Sequence, residues 1–149
     1  MTTSPLAPAR SSDRSAWDRV LMLHTRVERE LALALHGRHG IGLSEYRSLE
    51  HLIQSASSEL RMQDLAEKVG LGQSSITRLV GRLETAGFAF KDLCPSDKRG
   101  VYAVITDQGR ERYQQARVTY VEVLSSALNV FAADPELGPT VQALRVPHS

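Results

Sequence analysis

Apolar residues in this chain recur mostly at steps of three and four. From Ser15 to about Gly37 the stripe Trp17, Val20, His24, Val27, Leu31 and Ala34, widened by Leu21 and Leu35, predicts one long helix closed by Gly37 and Gly40. Ser44 suits the N-cap of a second helix to about Ser55, with Tyr46, Leu49, Leu52 and Ile53 inward. "SASSE" then reads as a loop. "LRMQDLAEKVG" predicts a short helix with Leu65, Ala66 and Val69 inward and Gly70 as its stop. Ile76, Leu79, Val80 and Leu83 begin a new helical stripe that Gly87 closes. "FAFKDL" and "VYAVIT" are short β-like runs. Thr106 suits the N-cap of a last long helix to about Phe131, striped by Tyr113, Ala116, Tyr120, Leu124, Ala127 and Phe131. A short helix from near Pro135 follows.

Two short helices joined by a glycine-containing turn form a helix-turn-helix unit. Ala66 is small where the second helix must cross the first, Gly70 marks the turn, and Ile76 faces inward six residues on. A generic helical hairpin shares these features, so the outward face of the second helix decides. That face carries Ser74, Ser75, Thr77, Arg78, Gly81 and Arg82, with no acidic residue before Glu84. An ordinary solvated face mixes both signs. A face entering the DNA major groove needs small polar groups near its start and arginine for guanine or phosphate. Gln73 is placed to read an adenine edge, and Arg61, just before the first helix of the pair, to clamp a phosphate.

Between the two β-like runs stands "CPSDKRG", Cys94 to Gly100. A connection that only reversed the chain needs Asn-Gly or Asp-Gly, yet this tip carries Asp97, Lys98 and Arg99. A solvated tip is one explanation. Next to a helix-turn-helix, a hairpin with a basic tip is a wing that reaches DNA beside the groove. Arg99 then suits a narrow minor groove, with Asp97 holding its guanidinium. The fold class expected is mainly α with a small β-hairpin wing.

Composition narrows the picture only a little. The chain has 149 residues, net charge +1 and one cysteine, so no intramolecular disulfide forms. Residues 60–106 hold seven Lys/Arg against five Asp/Glu, a weak basic bias. The first fourteen residues read as a disordered tail without a signal-peptide core, and the longest apolar run is far short of a membrane span, which points to a cytoplasmic protein. No nucleophile elbow, phosphate loop, dinucleotide fingerprint or paired-cysteine cluster is present, so an enzyme is not expected.

The stretch "LRMQDLAEKVGLGQSSITRLVGRLETAGFAFKDLCPSDKRGVYAVITDQGRE" resembles the DNA-binding lobe of the multiple-antibiotic-resistance regulator (MarR) family, and the likeness covers about residues 17–131. The resemblance implies a homodimeric winged-helix repressor or activator, with a small-molecule cleft between its dimer part and its DNA lobes. On that reading residues 15–40 and 107–146 form the dimerisation region and 41–106 the DNA-binding lobe. The apolar stripes on the terminal helices agree, since few other elements remain to cover them and a symmetry mate would. Family wings usually carry several basic residues on the strand before the tip. Here only Lys91 stands there, so fewer phosphate contacts are expected.

Double-stranded DNA and a second copy are thus the expected partners, with a small-molecule effector beside them. No cofactor and no metal is expected. His36 and His39 have metal-pair spacing, and His24 and His51 could come near, but no acidic or cysteine ligand is set beside them. Cys94 reads as a small strand residue rather than a redox sensor. Trp17 is a dimer anchor or an effector-pocket wall, and Tyr46 and Arg47 are further pocket candidates. The rival reading is a winged helix used for protein interaction without specific DNA binding.

Overall fold

The computed structural model describes residues 6–93 and 100–147. Along the chain run α1 (Ser11–His39), α2 (Leu43–Gln54), β1 (Glu59–Arg61), α3 (Met62–Val69), α4 (Gln73–Thr85), β2 (Ala89–Leu93), β3 (Val101–Ile105), α5 (Asp107–Ala132) and α6 (Gly138–Leu144). They form two compact units, Leu31–Val123 and Met1–Glu30 with Leu124–Ser149.

In the first unit the inward stripes of α2, α3 and α4 meet in one core. Leu49, Leu52, Leu65, Ile76, Val80 and Leu83 are fully buried there, with Ala103 from β3 and Ala116 from α5. Ala66, small and 6 % exposed, keeps α3 close to its neighbours. Gly70 ends α3 at φ 78°, and the Leu71 N–H donates to the Ala66 carbonyl at 2.9 Å. Gly87 repeats the device after α4, at φ 82° with the Phe88 N–H on the Leu83 carbonyl at 2.9 Å. Both are left-handed positions where glycine carries no Cβ penalty.

The sheet holds three antiparallel strands in the order β1-β3-β2, one more than the expected hairpin. Glu59, Leu60 and Arg61 face Val104, Ala103 and Tyr102. The sequence reads "SASSE" as loop and the helix as starting at Leu60, yet Glu59–Arg61 is a strand and the helix starts at Met62. A three-residue strand has too little alternation to show a period, and its partner lies some forty residues away. The N-cap of α2 is also Gly42 rather than Ser44, which sits inside the first turn. The Gly42 N–H donates to Glu45 Oε2 at 3.2 Å, so the carboxylate three residues on supplies the cap. Thr106 does cap α5, its Oγ1 accepting the Gly109 N–H at 3.0 Å.

In the second unit Leu23, Val27, Ala127, Leu137 and Val141 are buried. Asp134 Oδ1 accepts the N–H groups of Leu137 and Glu136 there, which lowers its carboxyl below the usual range. The last helix begins at Gly138, later than expected near Pro135, and Pro139 fills its first turn, where the missing N–H costs nothing.

Gly109, in the first turn of α5, lies where a Cβ would stand 2.2 Å from the Phe88 carbonyl oxygen and 2.9 Å from Ile105 Cγ1. Both neighbours belong to the sheet side of the unit, so neither gives way easily. Gly109→Ala is expected to cost about 1–3 kcal/mol, the usual range for overpacking. Urea unfolding checks this; an unchanged midpoint would contradict the tight approach.

Candidate nucleic-acid interface

Helix α4 is two-sided because its four apolar residues share one face. With Ile76, Leu79, Val80 and Leu83 buried, Gln73, Ser74, Thr77, Arg78 and Arg82 are exposed and Ser75 is half-buried. At about 100° per residue, the outward arc has a middle and two edges. Ser74, Arg78 and Gly81 hold the middle. Gln73 and Thr77 lie on one edge, and Ser75 and Arg82 on the other. The Thr77 hydroxyl donates to the Gln73 carbonyl at 2.9 Å, leaving its oxygen able to accept.

The first edge borders a cleft of about 330 Å³ lined by Gln63, Gln73, Thr77, Lys91 and Gly100. Lys91 Nζ stands 3.3 Å from Glu84 Oε1, which ties β2 to the end of α4. The second edge faces the start of α2. There Arg82 Nε donates to Glu45 Oε1 at 3.0 Å. One carboxylate thus caps α2 and grips the exposed helix. Arg61 Nε donates to the Tyr102 hydroxyl at 3.0 Å, with its guanidinium 5.7 Å above that ring. Neither arginine is a loose surface charge. Each is held in a set direction.

Among the expected contact residues, the structure therefore brings Gln73, Ser74, Ser75, Thr77, Arg78 and Arg82 onto one face. Arg61 stands apart from them, on β1. Cys94, Asp97, Lys98 and Arg99 lie outside the described residues. Sequence reasoning missed Glu45 and Tyr102 as partners of these arginines. The Gly42-to-Glu45 spacing carried a capping signal for the first, whereas the second needs the β1–β3 register.

The candidate effector residues are placed differently. Trp17 is 61 % exposed, in the unit with the chain ends. Tyr46 is 1 % exposed in the other unit, its ring stacked on Tyr120 at 4.7 Å and Tyr113 at 5.2 Å. Arg47 Nη2 donates to the Tyr120 hydroxyl at 3.3 Å. Tyr113 in turn donates to Glu50 Oε2 at 2.9 Å. Tyr46 thus belongs to a tyrosine stack between α2 and α5 rather than to an open wall. Among the histidines, His39 Nε2 bonds Thr119 Oγ1 at 2.6 Å, and His24 is exposed beside Glu28 at 4.0 Å. No group of three or more His, Cys, Asp or Glu is arranged to hold a metal among the described residues.

This face and fold have counterparts among known proteins. The MarR family model matches residues 39–100. Sco3205 of Streptomyces coelicolor, a MarR family transcriptional regulator solved in complex with DNA, is 27 % identical; its match covers 93 % of this chain and 87 % of that one at TM-score 0.75. Residues 39–100 thus carry the MarR sequence pattern. The fold along the chain is that of a winged helix-turn-helix protein. Sco5413, a further MarR protein of that organism, is 26 % identical with TM-score 0.72, covering 91 % and 92 % of the two chains. By sequence, the chain is also similar to two HTH-type transcriptional regulators of Bacillus subtilis, YkoM (34 % over 73 residues) and MhqR (32 % over 72). Those matches cover 49 % and 48 % of this chain, and 46 % and 48 % of theirs, so the likeness spans about half the length of each relative.

The tyrosine stack gives the chain a pH signature. Burial, above all, raises the Tyr46 hydroxyl well above its ordinary value, and the neighbouring Tyr113 and Glu50 add to the rise. Burial and the Glu50 hydrogen bond raise Tyr113 likewise. A raised folded-state pKa means the folded form keeps its proton while the unfolded chain releases it at about pH 10. The stability gained is full below about pH 10 and is lost as pH climbs beyond it. Unfolding followed by circular dichroism from pH 8 to 12 should show that loss, with a shallower fall in Tyr46→Phe. An identical fall in the variant would contradict it.

Proposed function

We propose that this chain is a sequence-specific, double-stranded-DNA-binding transcriptional regulator that acts in the cytoplasm as a homodimer on a pseudo-palindromic operator and responds to a small molecule. The outward face of α4 carries the proposal. Its exposed side chains are hydroxyl, amide and guanidinium groups, serine and glycine stand beside Arg78 at its middle, and no carboxylate intervenes before Glu84. Such a face approaches base edges closely and meets no charge repulsion from phosphate. That Sco3205 was solved with DNA supports the same use of the fold here. No helix among the described residues is long and apolar enough to cross a membrane.

Dimerisation is supported by large apolar side chains left in solvent by a single chain. In the unit formed by the chain ends these include Trp17, Leu21, Val130 and Leu144. The same unit holds an apolar cleft of about 280 Å³, lined by Val20, Leu23, Val27, Leu124, Leu128 and Leu144, with His24 and Glu28 among its polar groups. A second copy covering these groups would remove them from water, which supports residues 15–40 and 107–146 as the dimerisation region. Trp17 and the cleft are the places where a small apolar effector would be felt in that region. Residues 41–106 then serve as the DNA-binding lobe. The rival use, a winged helix that binds protein, predicts no preference among DNA sequences.

Two substitutions separate base reading from backbone contact. Gln73→Ala should lower the discrimination between a selected duplex and its point variants by about 1–3 kcal/mol per lost base contact. Arg99→Ala should weaken binding to every sequence and reduce the salt slope by about one. Fluorescence anisotropy across a salt series reads both. Binding by the Arg99 variant that matches the parent at every salt concentration would contradict the wing's role.

A further inference from the structure

The β2–β3 hairpin extends beyond the core that supports its base. Ala89, the first residue of β2, is buried, but Phe90, Lys91, Asp92 and Leu93 are all exposed. The third strand gives out almost as early. β1 ends at Arg61 because α3 begins at Met62, so Arg61, Tyr102 and Asp92 form the outermost row with three strands. The next row, Leu93 and Val101, has only two. A two-stranded ribbon has little stability of its own in water. Where apolar support stops, polar ties decide how the hairpin is held.

Two such ties stand at this boundary, one on each face of the sheet. Lys91 shares a face with Ala89 and Ala103, and its Nζ reaches Glu84 of α4 at 3.3 Å. Arg61 and Tyr102, one residue further along the ladder, lie on the opposite face. There Arg61 Nε donates to the Tyr102 hydroxyl at 3.0 Å, and its guanidinium stands 5.7 Å from the centre of that ring. Arg61 therefore bears on β3, at the last point where β1 can grip the hairpin.

We propose that the Arg61–Tyr102 contact is a brace that fixes the hairpin for DNA binding, and that both are positioning residues that do not touch DNA. The inference rests on the DNA-binding reading and deepens it, giving Arg61 a task other than clamping a phosphate. A loose hairpin must be ordered when the duplex arrives, and that ordering opposes binding. A braced hairpin is ordered already on folding. The bound complex is the same in both cases. Loss of the brace therefore lowers affinity without changing the number of phosphates neutralised, which the salt slope reads.

The experiment titrates the full chain and its Tyr102→Phe, Arg61→Ala and doubly substituted variants onto a selected duplex and a random one over a salt series. Backbone hydrogen exchange is followed in the free proteins. Tyr102→Phe alters no charge and keeps the ring. It should weaken binding to both duplexes by about two- to tenfold, the worth of one hydrogen bond, at an unchanged salt slope. Arg61→Ala should do at least as much at the same slope. The double variant should be no weaker than Arg61→Ala, because the two residues act through one contact. Exchange should quicken in β2 and β3 of each variant and stay as in the parent in α2, α3 and α4.

A salt slope lowered by about one in Arg61→Ala, with Tyr102→Phe binding as the parent does, would make Arg61 a phosphate ligand and overturn the proposal. Unchanged affinity in both single variants would overturn it too, while leaving DNA binding intact. Exchange that quickens across α2, α3 and α4 as well would show a general loss of stability instead of a local brace. A parent chain that binds no duplex would remove the DNA reading, whereas unchanged exchange in Tyr102→Phe would by itself remove the brace.

Discussion

Burial of Ile76, Leu79, Val80 and Leu83 decides which way α4 faces, and the rest of the molecule's chemistry depends on that orientation. The four side chains bring little beyond hydrophobic area, yet a rotation of the helix would expose all of them at a cost of about 1.5–3 kcal/mol each. Because the helix cannot turn, Ser74 and Gly81 stay at the middle of the outward arc and the polar edges stay at its sides. Ala66, by being small, and the glycine turns at Gly70 and Gly87 set how α4 enters and leaves the core. The surface chemistry is a consequence of apolar packing on the opposite side.

Electrostatics then refines what packing has set. Glu45 caps the start of α2 with one oxygen and holds Arg82 with the other. Tyr102 does the same for Arg61 across the sheet, by a hydrogen bond and a ring face. Directing an arginine before its ligand arrives reduces the side-chain entropy lost on binding. Among the described residues Arg78 has no such anchor. The tyrosine stack between α2 and α5 is the buried counterpart, a polar chain satisfied through Glu50 that fixes α5 against the lobe.

Much of this was legible in the sequence because it is local. The 0, 3, 4, 7 spacing from Ile76 and the stops at Gly70 and Gly87 placed α4 and its faces, and Thr106 marked the start of α5. What was not legible depends on distant partners. β1 is three residues long and exists only because Val104, Ala103 and Tyr102 lie beside it. Ser44 carries the cap chemistry, but Glu45 served Gly42 first. Tyr46 looked available for a ligand because its stacking partners, Tyr113 and Tyr120, come from a helix more than sixty residues on. Separations of 41 and 37 residues hid the partners of Arg61 and Arg82, whose charges pointed to DNA while their directions were set within the protein.

The central claim is that the outward face of α4 recognises a DNA sequence. A gel shift of the purified chain on DNA flanking its own gene, across a salt series with competitor DNA, tests it most directly. The account predicts a discrete complex that resists competitor and weakens steeply with salt. A shift that competitor removes completely, there and on duplexes selected from a random pool, would contradict it and favour a protein partner for this face.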